Sequence, residues 1–122
     1  MRGNVQVYAR LRPVANPCPE FEVGEKHIDL RQSKGMGRVT ETHFLLDGVF
    51  TSDMENEDVF KKVEPFVKTA LMGDNICMFA YGQTGSGKTH TMGYVTDRAA
   101  NLMIDEMNFS KFDLRVSSLQ IY

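Results

Sequence analysis

The stretch Asn75-Ile76-Cys77-Met78-Phe79-Ala80-Tyr81-Gly82-Gln83-Thr84-Gly85-Ser86-Gly87-Lys88-Thr89 sets the fold class of this chain. Residues 75–81 form a nearly continuous apolar run, which suits a strand covered on both faces, as in a parallel sheet flanked by helices. Residues 82–89 follow with the pattern G-x-x-x-x-G-K-[ST], met by Gly82, Gly87, Lys88 and Thr89. Average residue usage gives a chance match in a chain this long odds of roughly one in a few hundred. The chemistry accounts for each position. Glycines permit positive φ and remove side chains, so successive backbone N–H groups turn inward around phosphate oxygens. A helix starting after the loop adds its partial positive charge. Lys88 supplies a full charge at the β/γ-phosphates, and Thr89 places a hydroxyl where it can ligate Mg²⁺. The reading is a nucleotide-binding loop between a buried strand and a helix.

On the N-terminal side, Val5, Val7, Ala9 and Leu11 alternate with other residues, predicting a strand over 5–12 with one buried face. Pro13 closes it. Residues 14–38 are rich in Pro, Gly and charge and read as a surface excursion, with a short strand at Ile28 to Leu30. Val39 to Leu46 reads as a further strand, followed by the turn dipeptide Asp47-Gly48 and then Val49-Phe50. Between Asn56 and Leu71, the residues Val59, Phe60, Val63, Phe66, Val67, Ala70 and Leu71 make one stripe at period 3.6, which predicts a helix. Glu57–Lys61, Asp58–Lys62 and Glu64–Lys68 are acid-before-base pairs at i, i+4. Pro65 should kink or divide the helix, and Gly73 is a natural C-cap.

On the C-terminal side, a helix is expected from Asp97 to Met107, with Thr96 as N-cap and Ala100, Met103, Ile104 and Met107 facing inward. Phe112 to Tyr122 reads as a final strand. Phe79 and Tyr81 are assigned to the core, Cys77 is read as a small buried hydrophobe, and Cys18 as a loop residue. His27 and His43 have no metal-ligand spacing with the cysteines and are given no role.

Composition bounds the possibilities. The 122 residues are 42% apolar and 25% charged, which fits one soluble globular domain with a single core. No window approaches about 18 consecutive apolar residues, so a membrane span is excluded. The N-terminus lacks the apolar segment of a signal peptide, and two cysteines cannot staple a secreted scaffold, so a reducing, cytoplasmic setting is expected. Fourteen basic against sixteen acidic residues, net −2, argue against nucleic-acid binding driven by overall charge.

The segment Phe79 to Met92 closely resembles the signature of kinesin motor domains. Val7-Tyr8-Ala9-Arg10-Leu11-Arg12-Pro13 resembles that family's first strand with its R-x-R-P ending. Phe44-Leu45-Leu46-Asp47-Gly48-Val49-Phe50 and Val116-Ser117-Ser118-Leu119-Gln120-Ile121-Tyr122 resemble two further segments. Gly3-Asn4-Val5 resembles the start of motors carried at the C-terminal end of their chains. The resemblance implies an α/β fold of the P-loop NTPase type, three-layered around a mostly parallel central sheet. Residues 1–122 represent only the nucleotide-binding part of such a motor domain. It further implies that Arg10, Arg12 and Pro13 flank an adenine, with His90 against the base or ribose. Gly82, Gln83, Thr84, Gly85, Ser86, Gly87, Lys88 and Thr89 would hold the phosphates of ATP or ADP, with Thr89 on Mg²⁺. The implied partner is the microtubule, bound through regions outside this chain, in a cytoskeletal setting.

Leu46 and Ser118 stand where the family has phenylalanine, and the segment between Met92 and Asp97 is short where the family carries a long loop. The motifs N-x-x-S-S-R-S-H and D-L-A-G-S-E, which in kinesins orient the attacking water and sense the γ-phosphate, are not in this sequence. No catalytic group is therefore assigned beyond Lys88 as a stabiliser of phosphate charge. Three readings follow: the ATP-binding portion of a microtubule motor, a truncated nucleotide-binding or interaction fragment that does not hydrolyse, and a different P-loop enzyme such as a nucleotide kinase. The 122 residues alone are expected to fold poorly or bind nucleotide weakly, because the strands at residues 5–12 and 75–81 would lack neighbours.

Overall fold

The computed structural model describes residues 5–15, 20–34, 38–107 and 114–121. Their elements are β1 (Tyr8–Arg10), β2 (Phe21–Val23), β3 (His27–Lys34), β4 (Arg38–Leu45), β5 (Gly48–Phe50), α1 (Asn56–Leu71) and α2 (Lys88–Met107). The strands form a parallel pair, β1 with β5, and an antiparallel meander, β2-β3-β4.

The parallel pair is set by Asp47. Its backbone N–H donates to the Val7 carbonyl at 2.9 Å, while its carboxylate accepts the Val7 N–H at 2.7 Å. The chain thus leaves Asp47-Gly48 beside β1 instead of folding back on β4 as a hairpin turn would. Gly48 fits there because a Cβ would stand 3.0 Å from the Tyr8 ring, which stacks on Phe50 at 5.7 Å. The strand is shorter than expected. Val5 and Val7 are exposed, and only Ala9 and Leu11 of the alternating set are half-buried.

Residues 20–34 are more regular than their composition suggested, and the short strand expected at Ile28 to Leu30 is part of a longer one. They form β2 and β3, and β3 pairs with β4 from His27 opposite Leu45 to Lys34 opposite Arg38. One face of this meander carries Phe21, Val23, Ile28, Leu30 and Phe44. The other is ionic: Arg31 bridges Glu41 at 3.0 Å and Glu22 at 3.4 Å. His27 and His43, given no role from sequence, stack at 5.3 Å, and His43 hydrogen-bonds Asp29. These partners lie on different strands, so a scan for local pairs misses them. Asn16-Pro17-Cys18-Pro19 and Gly35-Met36-Gly37 lie outside the described residues.

The α1 helix has the predicted bounds, and its stripe turns inward with Val59, Phe60 and Val67 buried. Pro65 neither divides it nor ends it. It lies on the exposed side, and the residue whose carbonyl it deprives of an N–H partner, Lys61, is itself exposed. Met72 is the C-cap and Gly73 the residue after it, at φ +103°, with its N–H bonded to Ala70 O at 3.0 Å. Of the expected ion pairs, Glu64–Lys68 forms at 2.6 Å, but Lys61 turns to Asp58 at 2.9 Å.

The α2 helix starts at Lys88, not Asp97, so Thr96 lies inside it and caps nothing. The Gly87 carbonyl opens its ladder by accepting the Thr91 N–H at 3.0 Å. Starting nine residues earlier shifts the inward face. Val95 is buried, Thr91, Ala99, Leu102 and Met103 are half-buried, and Ala100 and Ile104 are exposed; the Met107 side chain lies outside the described residues. Phe50, Val59 and Val95 form the core, with Val63 packed against them.

Residues 75–81 form no strand. All are exposed, Cys77 included, with Phe79 at 84% and Tyr81 at 97%. Residues 114–121 are likewise exposed and form no strand; Phe112, Asp113 and Tyr122 lie outside the described residues. A strand exists only through its ladder, and no described strand borders either segment.

Candidate functional site

The loop from Gly82 to Gly87 leads directly into the N-terminus of the 20-residue helix α2. Gly85 and Gly87 sit at φ +80° and +102°, a region that L side chains rarely enter. At Gly82 a Cβ would come 2.8 Å from Ser86 Oγ. The Ser86 N–H donates back to Gln83 O at 3.1 Å, closing a turn. The glycines are thus where the backbone demands them.

Cations tie down the carbonyls of this loop. Lys88 Nζ donates to Gly82 O at 2.7 Å and to Gln83 O at 2.8 Å, and Arg12 Nη1 donates to Gly85 O at 2.5 Å. With those oxygens held by cations, the helix N-terminus and the glycine backbone present N–H groups, the polarity an anion requires. The Thr89 side chain is exposed at the first turn of α2.

Beside the loop lies a cleft of about 490 Å³ lined by Arg10, Pro13, Asn56, Glu57, His90 and Tyr94, together with residues 52–55. Arg10 reaches it from the end of β1. Its Nη1 hydrogen-bonds Asn56 Oδ1 and donates to Thr91 Oγ1 at 2.7 Å. Thr91 Oγ1 in turn donates to Gly87 O at 3.2 Å, so one chain of contacts runs from β1 to the loop. Asn56 Nδ2 meets His90 Nε2 at 3.2 Å. Across the back, Glu57 accepts the Tyr94 hydroxyl at 2.5 Å and pairs with Arg98 at 3.5 Å. That hydrogen bond, reinforced by burial, raises the Tyr94 phenol above its usual range, so it remains a donor.

The sequence-predicted residues therefore fall into two adjoining groups. Gly82 to Thr89 and Arg12 make the loop; Arg10, Pro13 and His90 border the cleft. Asn56, Glu57, Thr91 and Tyr94 were not predicted. Their contacts join α1 to α2 across long sequence separations, and no local pattern announces them.

The family model described as microtubule binding matches residues 1–122. The chain is 37% identical to the kinesin-like protein KIN-14S of Arabidopsis thaliana and 31% identical to the protein claret segregational of Drosophila melanogaster, over its whole length in both cases. The C-terminal motor domain of Kar3 from Candida glabrata superposes with a TM-score of 0.64 at 29% identity, covering 88% of this chain. This chain belongs to the kinesin motor family. The resemblance read from residues 79–92 and from the R-x-R-P ending is thereby borne out, and the P-loop architecture with it. The kinesin-family chain spans 18% and 20% of those two curated relatives and 39% of the solved Kar3 motor chain.

Proposed function

We propose that this chain is the ATP-binding portion of a kinesin-like microtubule motor, which couples ATP hydrolysis to movement along microtubules. The observation that carries the reading is the glycine loop delivered onto the α2 N-terminus, with the Arg10–Pro13–His90 cleft directly beside it. The cradle fits a phosphate chain: positive φ at Gly85 and Gly87 and the crowded Cβ position at Gly82 are what a loop wrapped closely around phosphates needs. In this role Gly82, Gln83, Thr84, Gly85, Ser86 and Gly87 supply backbone amides. Lys88 moves its ammonium from the carbonyls of Gly82 and Gln83 to the phosphates, and Thr89 offers its hydroxyl to magnesium. Magnesium, when bound with the nucleotide, neutralises developing phosphate charge. Arg10, Arg12, Pro13 and His90 hold the nucleoside end, and the partner is the microtubule, in a cytoskeletal location.

The groups that position the attacking water are not assigned to this chain, so residues 1–122 act as part of a motor domain. A nucleotide-binding piece that does not hydrolyse is the second reading, favoured by the exposed, unpaired stretch before the loop. Microtubule-stimulated ATPase of the longest natural polypeptide carrying this sequence separates them. Stimulation is expected for a motor; Mg·ATP binding without turnover would select the second reading, and no binding would overturn both.

A further inference from the structure

The side chain of Asn56 stands between two groups whose hydrogen-bonding character is fixed. A guanidinium donates and never accepts, so the atom of Asn56 facing Arg10 Nη1 must be the amide oxygen. A backbone carbonyl accepts and never donates, so the atom 3.5 Å from His90 O must be the amide nitrogen. The two constraints are independent and agree. The same amide nitrogen lies 3.2 Å from His90 Nε2. An NH₂ group cannot accept, so Nε2 must offer a lone pair, and the proton of the uncharged ring must sit on Nδ1.

We propose that Asn56 is a positioning residue that relays the fixed polarity of Arg10 into a single tautomer of His90, with Nδ1–H as the ring's only N–H donor. Uncharged histidine in water favours the opposite, Nε2–H form, so this tautomer is imposed and not a default. The consequence for the ligand, which rests on the nucleotide reading above, is that the cleft offers a hydrogen-bond donor from His90 to an acceptor on the nucleoside. The tautomer itself stands on the contacts of Arg10, Asn56 and His90 alone.

The test is nitrogen NMR on the longest natural polypeptide, labelled with ¹⁵N-histidine and recorded at a pH where the ring is uncharged. The His90 signals are those lost in His90→Gln. The expected pattern is a pyridine-type resonance at Nε2 and a pyrrole-type resonance at Nδ1. In Asn56→Asp both side-chain oxygens accept, so the two ring nitrogens should exchange types. A mere packing role for Asn56 would not produce that exchange. A pyrrole-type Nε2 in the unsubstituted protein overturns the proposal even if Asn56→Asp fails to fold, as does an unchanged pattern in a folded Asn56→Asp. Mg·ADP is then added. A shifted Nδ1 signal supports the donor role toward the nucleoside. Binding without any change at His90 overturns that role. Absence of binding counts against the nucleotide reading and leaves the tautomer decided by the first spectrum.

Discussion

Asp58 accepts the Lys61 ammonium at 2.9 Å and the Glu55 backbone N–H at 3.1 Å, and these hydrogen bonds hold its carboxyl below the usual carboxylate range. A folded-state pKa below the unfolded one means the stabilisation is present above the unfolded pKa and is lost as pH falls through the folded one. The first turn of α1 should therefore loosen in acid, and Asp58→Asn should flatten the acid limb of a stability-against-pH curve. At the loop, Lys88→Ala removes a charged donor from the proposed phosphate site. A loss of about 1.5–3 kcal/mol is expected, roughly 10- to 100-fold in affinity for Mg·ATP, measured by calorimetry. The loop residues were legible in sequence because their chemistry is written in consecutive positions. Asn56 and Thr91 were not, because their role arises only where residue 10 meets residues 56 and 91, separations of 46 and 81 along the chain.

Among the elements, α1 was legible between Asn56 and Leu71 because its apolar stripe is unbroken and Gly73 follows its C-cap, although Pro65 does not divide it. The helix after the loop was legible from the loop's chemistry, but its continuity into the Asp97–Met107 stretch was not, because Thr89, Thr91, Gly93 and Thr96 are weak helix formers. Their helix is held by the Gly87 carbonyl and by packing of Val95, not by propensity. Gly93 tests that account. It is exposed within α2, and a Cβ added there meets nothing within 4 Å. Gly93→Ala should raise stability by about 0.5–1 kcal/mol, seen as a higher thermal midpoint with nucleotide affinity unchanged. The meander was read only in part, β4 nearly whole and β3 as the short piece Ile28 to Leu30, for a different reason. Its order comes from cross-strand partners such as Arg31 with Glu22 and Glu41, while its composition resembles a loop.

For the whole molecule, the apolar run before the loop is where stability depends on neighbouring strands. Its sequence predicted a strand buried on both faces, and that prediction failed here because burial of a central strand depends on neighbours that the described residues do not include. In the 122-residue chain, Phe79→Ser and Tyr81→Ser should change stability by no more than about 0.5 kcal/mol, since both side chains face solvent. In a longer natural polypeptide that pairs this run, the same substitutions should cost about 3–5 kcal/mol. Urea denaturation of the two forms compares them directly, and equal effects in both would refute the account.

The placement of the site also dictates when it can be completed. On the ribosome, which releases about 5–20 residues per second, the meander has all its partners once Leu45 has emerged. The β1–β5 pair follows with Phe50, and Arg10 can take hold of Asn56 a moment later. His90 and Thr91 arrive last, after the glycine loop. A nascent chain that has emerged from the ribosome only as far as Tyr81 should therefore hold Arg10 against Asn56 with the amide nitrogen still free, one half of a latch made before the other is exposed.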